Sequence, residues 1–179
     1  MLRPLLSLLL GFTLLVGVVV PLGVTALAGL TMPDRAGGSL VRREGRVIGS
    51  TLIGQNFEDD VWFQGRPSAT AAAPYDAASS AASQLGPTSA ALLTSVIARV
   101  AGRRDVPADA VTGSGSGLDP HISPENARAQ IARVAAARGL SPERLAALVE
   151  HHTEGREFGL LGQPRVNVLR LNLALEAQR

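Results

Sequence analysis

Between Leu5 and Leu30 the chain carries no charged side chain, and Leu, Val, Ala, Gly and Thr make up most of the run. A helix that rises ~1.5 Å per residue crosses a ~30 Å hydrocarbon core within this length. Residues 1–31 therefore read as a transmembrane anchor. Pro21 removes one backbone hydrogen bond and predicts a kink. Gly11, Gly17, Gly23 and Gly29 recur every six residues and leave smooth patches for neighbouring helices, on faces too different to define one dimer stripe. A second reading is a signal peptide cleaved after Ala28, where Ala26 and Ala28 form an A-x-A-like site. Signal cores span ~7–15 apolar residues, and this run is much longer. For orientation, Arg3 precedes the span and Arg35, Arg42, Arg43 and Arg46 follow it, a bias that points the C-terminal part inward. A long domain translocates largely regardless of such flanking charge.

Composition narrows the chemistry. Of 179 residues, 46% are hydrophobic and only 3% aromatic, so any core is aliphatic. Lysine is absent, and the 17 basic residues are all arginine against 15 acidic ones, a net charge of +2 too balanced for nucleic-acid binding. With no cysteine there is no disulfide framework, thiolate metal site or cysteine nucleophile. Without lysine there is no phosphate-loop lysine and no Schiff base.

Residues 32–46 are rich in Gly, Pro and charge and read as a linker into a soluble domain over 47–179. Arg46–Ile53 alternates as a strand, and Gly54-Gln55-Asn56-Phe57 reads as a turn. Trp62 and Phe63 are core candidates. Residues 67–87 form a Ser/Ala/Gly/Pro-rich loop that buries little, a candidate for partner contact. The second half reads as helical. Thr88 is the expected cap of a helix with Leu92, Leu93, Val96, Ile97 and Val100 on a buried face. Ser123-Pro124-Glu125 and Ser141-Pro142-Glu143 open two more helices, the first ending at Gly139 and the second near Gly155. Val166–Leu175 alternates like a strand but has the Leu and Ala content of a helix. If buried, its Asn167 and Asn172 must find partners and act as structural pins. The predicted fold class is α+β: one transmembrane helix followed by a small mixed α/β soluble domain.

The most distinctive local stretch is Thr112–Pro124, TGSGSGLDPHISP. A Ser/Gly run exposes amides that can cradle an anion, and Asp119 with His121 is a possible acid–base pair. The phosphate-loop template fails for want of Gly-Lys-Ser/Thr, and those for a dinucleotide fingerprint and a nucleophile elbow fail on spacing. Local turn chemistry favours a tight turn into the Ser123-capped helix, with Asp119 as its initiator. His151 and His152 point about 100° apart on a helix and cannot share a metal from one face. They suit the helix C-terminal dipole. Arg66 beside Pro67 and Ser68 reads either as an anion contact or as a loop-pinning salt bridge. No catalytic constellation and no metal set emerges. Two rivals to an accessory subunit are an anchored hydrolase using Ser116, Asp119 and His121, and a secreted binding module.

Several blocks in register then carry a resemblance: Gly49-Ser50-x-Leu52-Ile53-Gly54-Gln55-x-Phe57, Trp62-Phe63-x-Gly65-Arg66-Pro67-Ser68-Ala69, Leu85-Gly86-Pro87-Thr88, Ser114–Pro124, and Val166-Asn167-Val168-Leu169-x-Leu171-Asn172-x-Ala174-Leu175. With the N-terminal span they cover nearly the whole chain, which resembles the C subunit of the Kdp potassium-transporting P-type ATPase. One departure is Ala81-Ala82-Ser83-Gln84, where that family usually has Gly-Gly-Ser-Asn.

The resemblance implies a non-catalytic subunit that helps assemble a channel-like potassium-binding subunit with a P-type ATPase subunit, with a further small membrane subunit as a possible companion, and that raises ATP affinity as a catalytic chaperone. It implies ATP shared with the ATPase subunit, potassium as the transported ion, and a single-pass protein of the bacterial or archaeal cell membrane. Candidate partner or nucleotide contacts are Gln55, Arg66, Ser68, Ser83, Gln84, Ser116, Asp119 and His121. Glu58, Asp59 and Asp60 are candidate carboxylates at a potassium entrance. The family view that places the soluble domain outside is the one we favour.

Overall fold

The absence of charge between Leu5 and Leu30 is answered by one continuous helical stretch, α1 (Leu2–Leu14), a π-helical turn (Leu15–Val19) and α2 (Val20–Thr31). The computed structural model describes residues 2–178. The most apolar 18-residue window of Leu2–Thr31 has a mean hydropathy of 2.6 and no buried residue, and the helix is long and apolar enough by length and composition to cross a membrane. Where Pro21 predicts a kink, the helix widens into the π turn just before it. The proline ring collides with the carbonyl four residues earlier, that of Gly17, and the wider turn accommodates both the collision and the missing donor. A helix-side methyl at Gly11, Gly17, Gly23 or Gly29 would meet nothing within 4 Å, so the glycine patches are open.

The described residues fall into two compact units, one ending at Ser50 and the other starting at Thr51. The first continues past the anchor through α3 (Pro33–Ala36) into a hairpin of β1 (Leu40–Arg43) and β2 (Arg46–Ser50). The expected linker is therefore largely structured. Glu44 and Gly45, at φ 51° and 79°, supply the two positive-φ residues that a two-residue hairpin turn requires. The strand expected over 46–53 stops at Ser50, whose Oγ donates to the Gly38 carbonyl at 2.7 Å.

The second unit is the α+β domain. It contains α4 (Ala90–Val100), α5 (Ala108–Val111), β3 (His121–Ile122), α6 (Pro124–Arg138), α7 (Pro142–His151), β4 (Thr153–Glu154), β5 (Arg165–Asn167) and α8 (Val168–Glu176). The sheet order is β3-β5-β4, antiparallel throughout, with His121 opposite Asn167 and Thr153 opposite Val166. Phe63, Leu145, Val149, Val166, Leu171 and Leu175 are fully buried in the core. Helices α6 and α7 begin as expected: Ser123 Oγ accepts from the Asn126 amide and Ser141 Oγ from the Arg144 amide, each with proline at the first turn. Gly139 closes α6 in the left-handed conformation at φ 65°. Helix α7 ends at His151, earlier than Gly155, because Thr153 and Glu154 pair with β5.

Two further expectations change, both on α4. The cap of α4 is Ser89, whose Oγ accepts from the Leu92 amide, not Thr88. Nor does α4 bury a face: none of its residues is buried, and Leu93 and Ile97 are 61% and 62% exposed. Periodicity defines an apolar stripe but not whether another element lies against it. The ambiguous Val166–Leu175 segment is both things in turn. Asn167 ends β5 and caps α8 by accepting from the Arg170 amide at 3.1 Å.

Candidate functional site

Phe63 sits outside any helix or strand, so its buried backbone groups need partners from elsewhere. Asn172 on α8 supplies both: its Oδ1 accepts from the Phe63 amide at 2.9 Å and its Nδ2 donates to the Phe63 carbonyl at 2.8 Å. Gln130 on α6 does the same for Gln64, at 2.7 and 3.0 Å. Arg133 donates to the Trp62 carbonyl, and Arg138 donates to that of Val61 while its guanidinium lies 4.3 Å from the Trp62 ring centroid. Asn167 pins the entry to the domain through the Thr51 carbonyl at 2.8 Å. Side-chain amides thus stand in for a missing strand, and they deliver Arg66 at a fixed place.

Arg66 bridges to Asp119, Nη1 to Oδ2 at 3.1 Å, and donates from Nη2 to the Gly113 carbonyl at 3.2 Å. The other carboxylate oxygen of Asp119 accepts from the His121 amide at 3.0 Å and lies 3.5 Å from His121 Nδ1. Burial pushes the Asp119 carboxyl up, but the hydrogen bonds from His121 and the Arg66 charge together hold it below the usual carboxylate range. Asp119 is therefore the expected turn initiator as well as one end of a cross-loop ion pair.

The Ser/Gly run is laced to the 67–87 loop. Ser68 Oγ donates to the Gly117 carbonyl at 2.7 Å and accepts from the Tyr75 amide at 3.0 Å. The Ser116 carbonyl accepts from the Ala81 amide and from Ser80 Oγ, both at 3.0 Å. Buried Ser114 accepts from the Gly117 amide at 2.9 Å. Tyr75 wedges its ring against Gly54 and Gly65 and donates its hydroxyl to the Arg66 carbonyl. A Cβ at either glycine would run into that ring, and one at Gly117, already at φ 69°, would lie 2.7 Å from the Ala81 carbonyl. Burial, reinforced by the Asp119 carboxylate and opposed by Arg66, pushes the Tyr75 hydroxyl up to about 12. It stays protonated and donating at any physiological pH.

The structure thus brings Arg66, Ser68, Asp119 and His121 together around one pinned junction. An open cleft of ≈ 700 Å³ lies on one side, lined by Arg66, Asp119, His121, Asp109 and Arg165 among others. Gln55 shares a second groove with Arg66, Ser68 and Tyr75, and Ser116 a third with Arg66 and Asp119. Ser116 Oγ accepts from the Leu118 amide at 3.1 Å, and among the described residues no hydrogen bond joins it to His121. A serine whose oxygen is occupied by its own turn, with no base against it, does not form the nucleophile pair that the hydrolase reading requires. Ser83 and Gln84 are exposed on the stretch before α4 and line none of these three grooves. Glu58, Asp59 and Asp60 are exposed; Glu58 accepts from Asn56 Nδ2 at 2.6 Å, and Asp60 lies 3.4 Å from Arg133. His152 Nδ1 meets the Leu148 carbonyl at 2.9 Å, as a residue at a helix C-terminus should.

Residue patterns did not point to Tyr75 or Asp109. Asp109 gathers the Ser123 amide at 2.7 Å, the Ser123 hydroxyl at 2.9 Å and Asn126 Nδ2 at 3.1 Å, which locks the start of α6 beside the junction. The one available signal for Tyr75 was its being the sole tyrosine of the chain.

The family model described as KdpC, the c chain of K+-transporting ATPase, matches residues 2–177. The chain is 55% identical over 186 residues to the potassium-transporting ATPase KdpC subunit of Sorangium cellulosum (strain So ce56), covering 99% of this chain and 98% of that one. It is 50% identical over 185 residues to the subunit of the same name from Dechloromonas aromatica (strain RCB), with 99% and 97% covered. For that of Rhodopseudomonas palustris (strain BisB18) the identity is 53% over 194 residues, with 99% and 98% covered. A match of this extent, over the anchor, the pinned junction and α8 alike, shows that the chain belongs to the KdpC family.

Proposed function

We propose that this chain assists assembly of the potassium ATPase and raises the ATP affinity of its ATPase subunit indirectly, through the membrane helix, with the α+β domain on the extracytoplasmic side. Family membership makes it an accessory subunit of the transporter rather than the catalytic one, and its apolar N-terminal helix makes it a membrane-anchored one. On this reading its partners are a channel-like potassium-binding subunit and the P-type ATPase subunit.

The observation that carries the indirect route is how the polar junction spends its groups. Arg66, Ser68 and Asp119 are each engaged within the chain, and the chain has no lysine to offer a phosphate. The Nη atoms of Arg66 are committed to Asp119 and Gly113, with only its buried Nε left without a hydrogen-bond partner among the described residues. The pair must be broken before those atoms can bind a triphosphate, which costs binding energy. The anchor offers the opposite. Its side chains are bare, its glycine patches are open, and it holds a π turn, an irregularity often found at functional sites. A helix that packs differently on two conformations of a partner shifts their balance, typically by ~1–3 kcal/mol, or about 5–150-fold in affinity.

The test is the ATP dependence of hydrolysis by the assembled complex. Replacing Leu15–Pro21 by leucine straightens the helix and removes one glycine patch, and it raises the apparent KM for ATP several-fold. The double variant Ser83→Ala, Gln84→Ala leaves that KM unchanged. The reverse pattern would establish direct contact and overturn the proposal.

A further inference from the structure

Arg156–Gly162 forms a short closed turn that projects apolar side chains into solvent. Phe158 is 96% exposed, Leu160 75% and Leu161 57%. The turn is not loose. The Glu157 amide donates to the Leu161 carbonyl and the Leu161 amide to the Glu157 carbonyl, both at 2.9 Å, and the Gly159 and Leu160 amides close back on Arg156 and Glu157 at 3.1 Å. The amides of Glu157, Gly159, Leu160 and Leu161 are therefore satisfied within the turn before anything binds. Phe158 adopts φ 53°, a conformation that a bulky side chain rarely takes, followed by Gly159 at φ 72°. An ordered backbone that holds its largest apolar side chain outward in a strained conformation is built to present that side chain.

The rim of the turn says what it meets. Arg165 pairs with Glu154 at 3.0 Å and Glu157 at 3.2 Å, and Arg170 reaches Glu154 at 3.4 Å. Among the described residues Arg156 has no such partner. A mostly self-neutralised polar rim around an apolar tip matches a protein socket, whose centre is apolar and whose edge is polar. It suits an anionic bilayer less well, since only Arg156 is left to meet the headgroups. We infer that the Phe158 turn is a docking knob that inserts into an apolar pocket of another subunit of the same ATPase, with Arg156 meeting a carboxylate at the pocket edge. This rests on the assembly reading above and names the surface through which assembly acts.

The test uses the full-length chain in detergent and the purified complex lacking it. Phe158→Ala binds about thirtyfold more weakly, the size expected of an aromatic anchor at an interface. Phe158→Gly binds as weakly, yet its Tm is no lower than that of the unsubstituted chain, because glycine accepts the positive φ at no cost. A purely structural role would lower that Tm, so this variant separates docking from folding. Arg156→Glu weakens binding by a smaller, salt-dependent factor. If all three variants bind within twofold of the unsubstituted chain, the knob is refuted while the assembly reading stands. If they keep that affinity but lose binding to vesicles of three parts phosphatidylcholine to one part phosphatidylglycerol, the turn meets the bilayer and the inference fails. Failure of the unsubstituted chain itself to bind the complex overturns the assembly reading, and the knob falls with it.

Discussion

Leu10 in the anchor is 68% exposed, whereas Leu171 in the domain is fully buried, and the same contrast holds between the two units as wholes. In the first, none of the thirty residues of the apolar helix is buried. In the second, thirteen buried side chains from Phe63 to Leu175 form one core. The domain buries most of its large apolar side chains and most of its polar groups internally, the α4 stripe and the Phe158 turn excepted. The helix satisfies only its own backbone and leaves its entire side-chain surface to lipid or to other helices. The two therefore fail in different ways: damage to the domain core shows as lost stability, and damage to the helix as lost coupling.

The largest effect that tests this contrast is at Asn172. Asn172→Leu orphans the Phe63 amide and carbonyl in the core, at about 1–3 kcal/mol for each group. Urea unfolding of the detergent-solubilised chain should show a fall of that order. An unchanged midpoint would mean that the segment carrying Arg66 is not clamped as described. Next in size is Gly54→Ala, whose Cβ collides with the Tyr75 ring and lies 2.8 Å from the Asp119 carbonyl; the same assay should read a loss of about 1–3 kcal/mol. Tyr75→Ala combined with it should then cost less than the two losses added, since one wedge is removed twice.

A smaller effect concerns pH. The Asp119 carboxyl is held below its ordinary value in the fold, so its contribution is complete above about pH 4 and is lost as the pH falls through the folded-state value. Asp119→Asn should flatten that part of the acid unfolding curve. The smallest effect is in the other unit: Leu10→Ala, on a bare helix, should move the domain's unfolding by less than about 0.5 kcal/mol.

Local signals made much of the fold legible. Ser-Pro-Glu announces both α6 and α7, and Gly139 the end of the first. Such signals reach only three or four residues. The junction is made by bonds across far longer separations, such as Arg66 to Asp119 and Ser68 to Gly117, and no periodicity encodes those. Hence the 67–87 loop read as a sparse, unpacked stretch, although Tyr75, Ser68 and Ser80 fasten it. The stripe on α4 was legible as a pattern, but whether another element of the chain covers it is a tertiary fact. The Phe158 turn gave no periodic signal, because its character lies in exposure and backbone strain.

The most direct measurement is the side of the membrane on which the domain sits. The chain has no cysteine, so Ala136→Cys, at an exposed position of α6, gives a single thiol for a membrane-impermeant maleimide applied to intact cells. The account predicts labelling before lysis, with the nucleotide effect then passing through the helix. Labelling only after lysis would contradict it and return direct nucleotide contact to the junction.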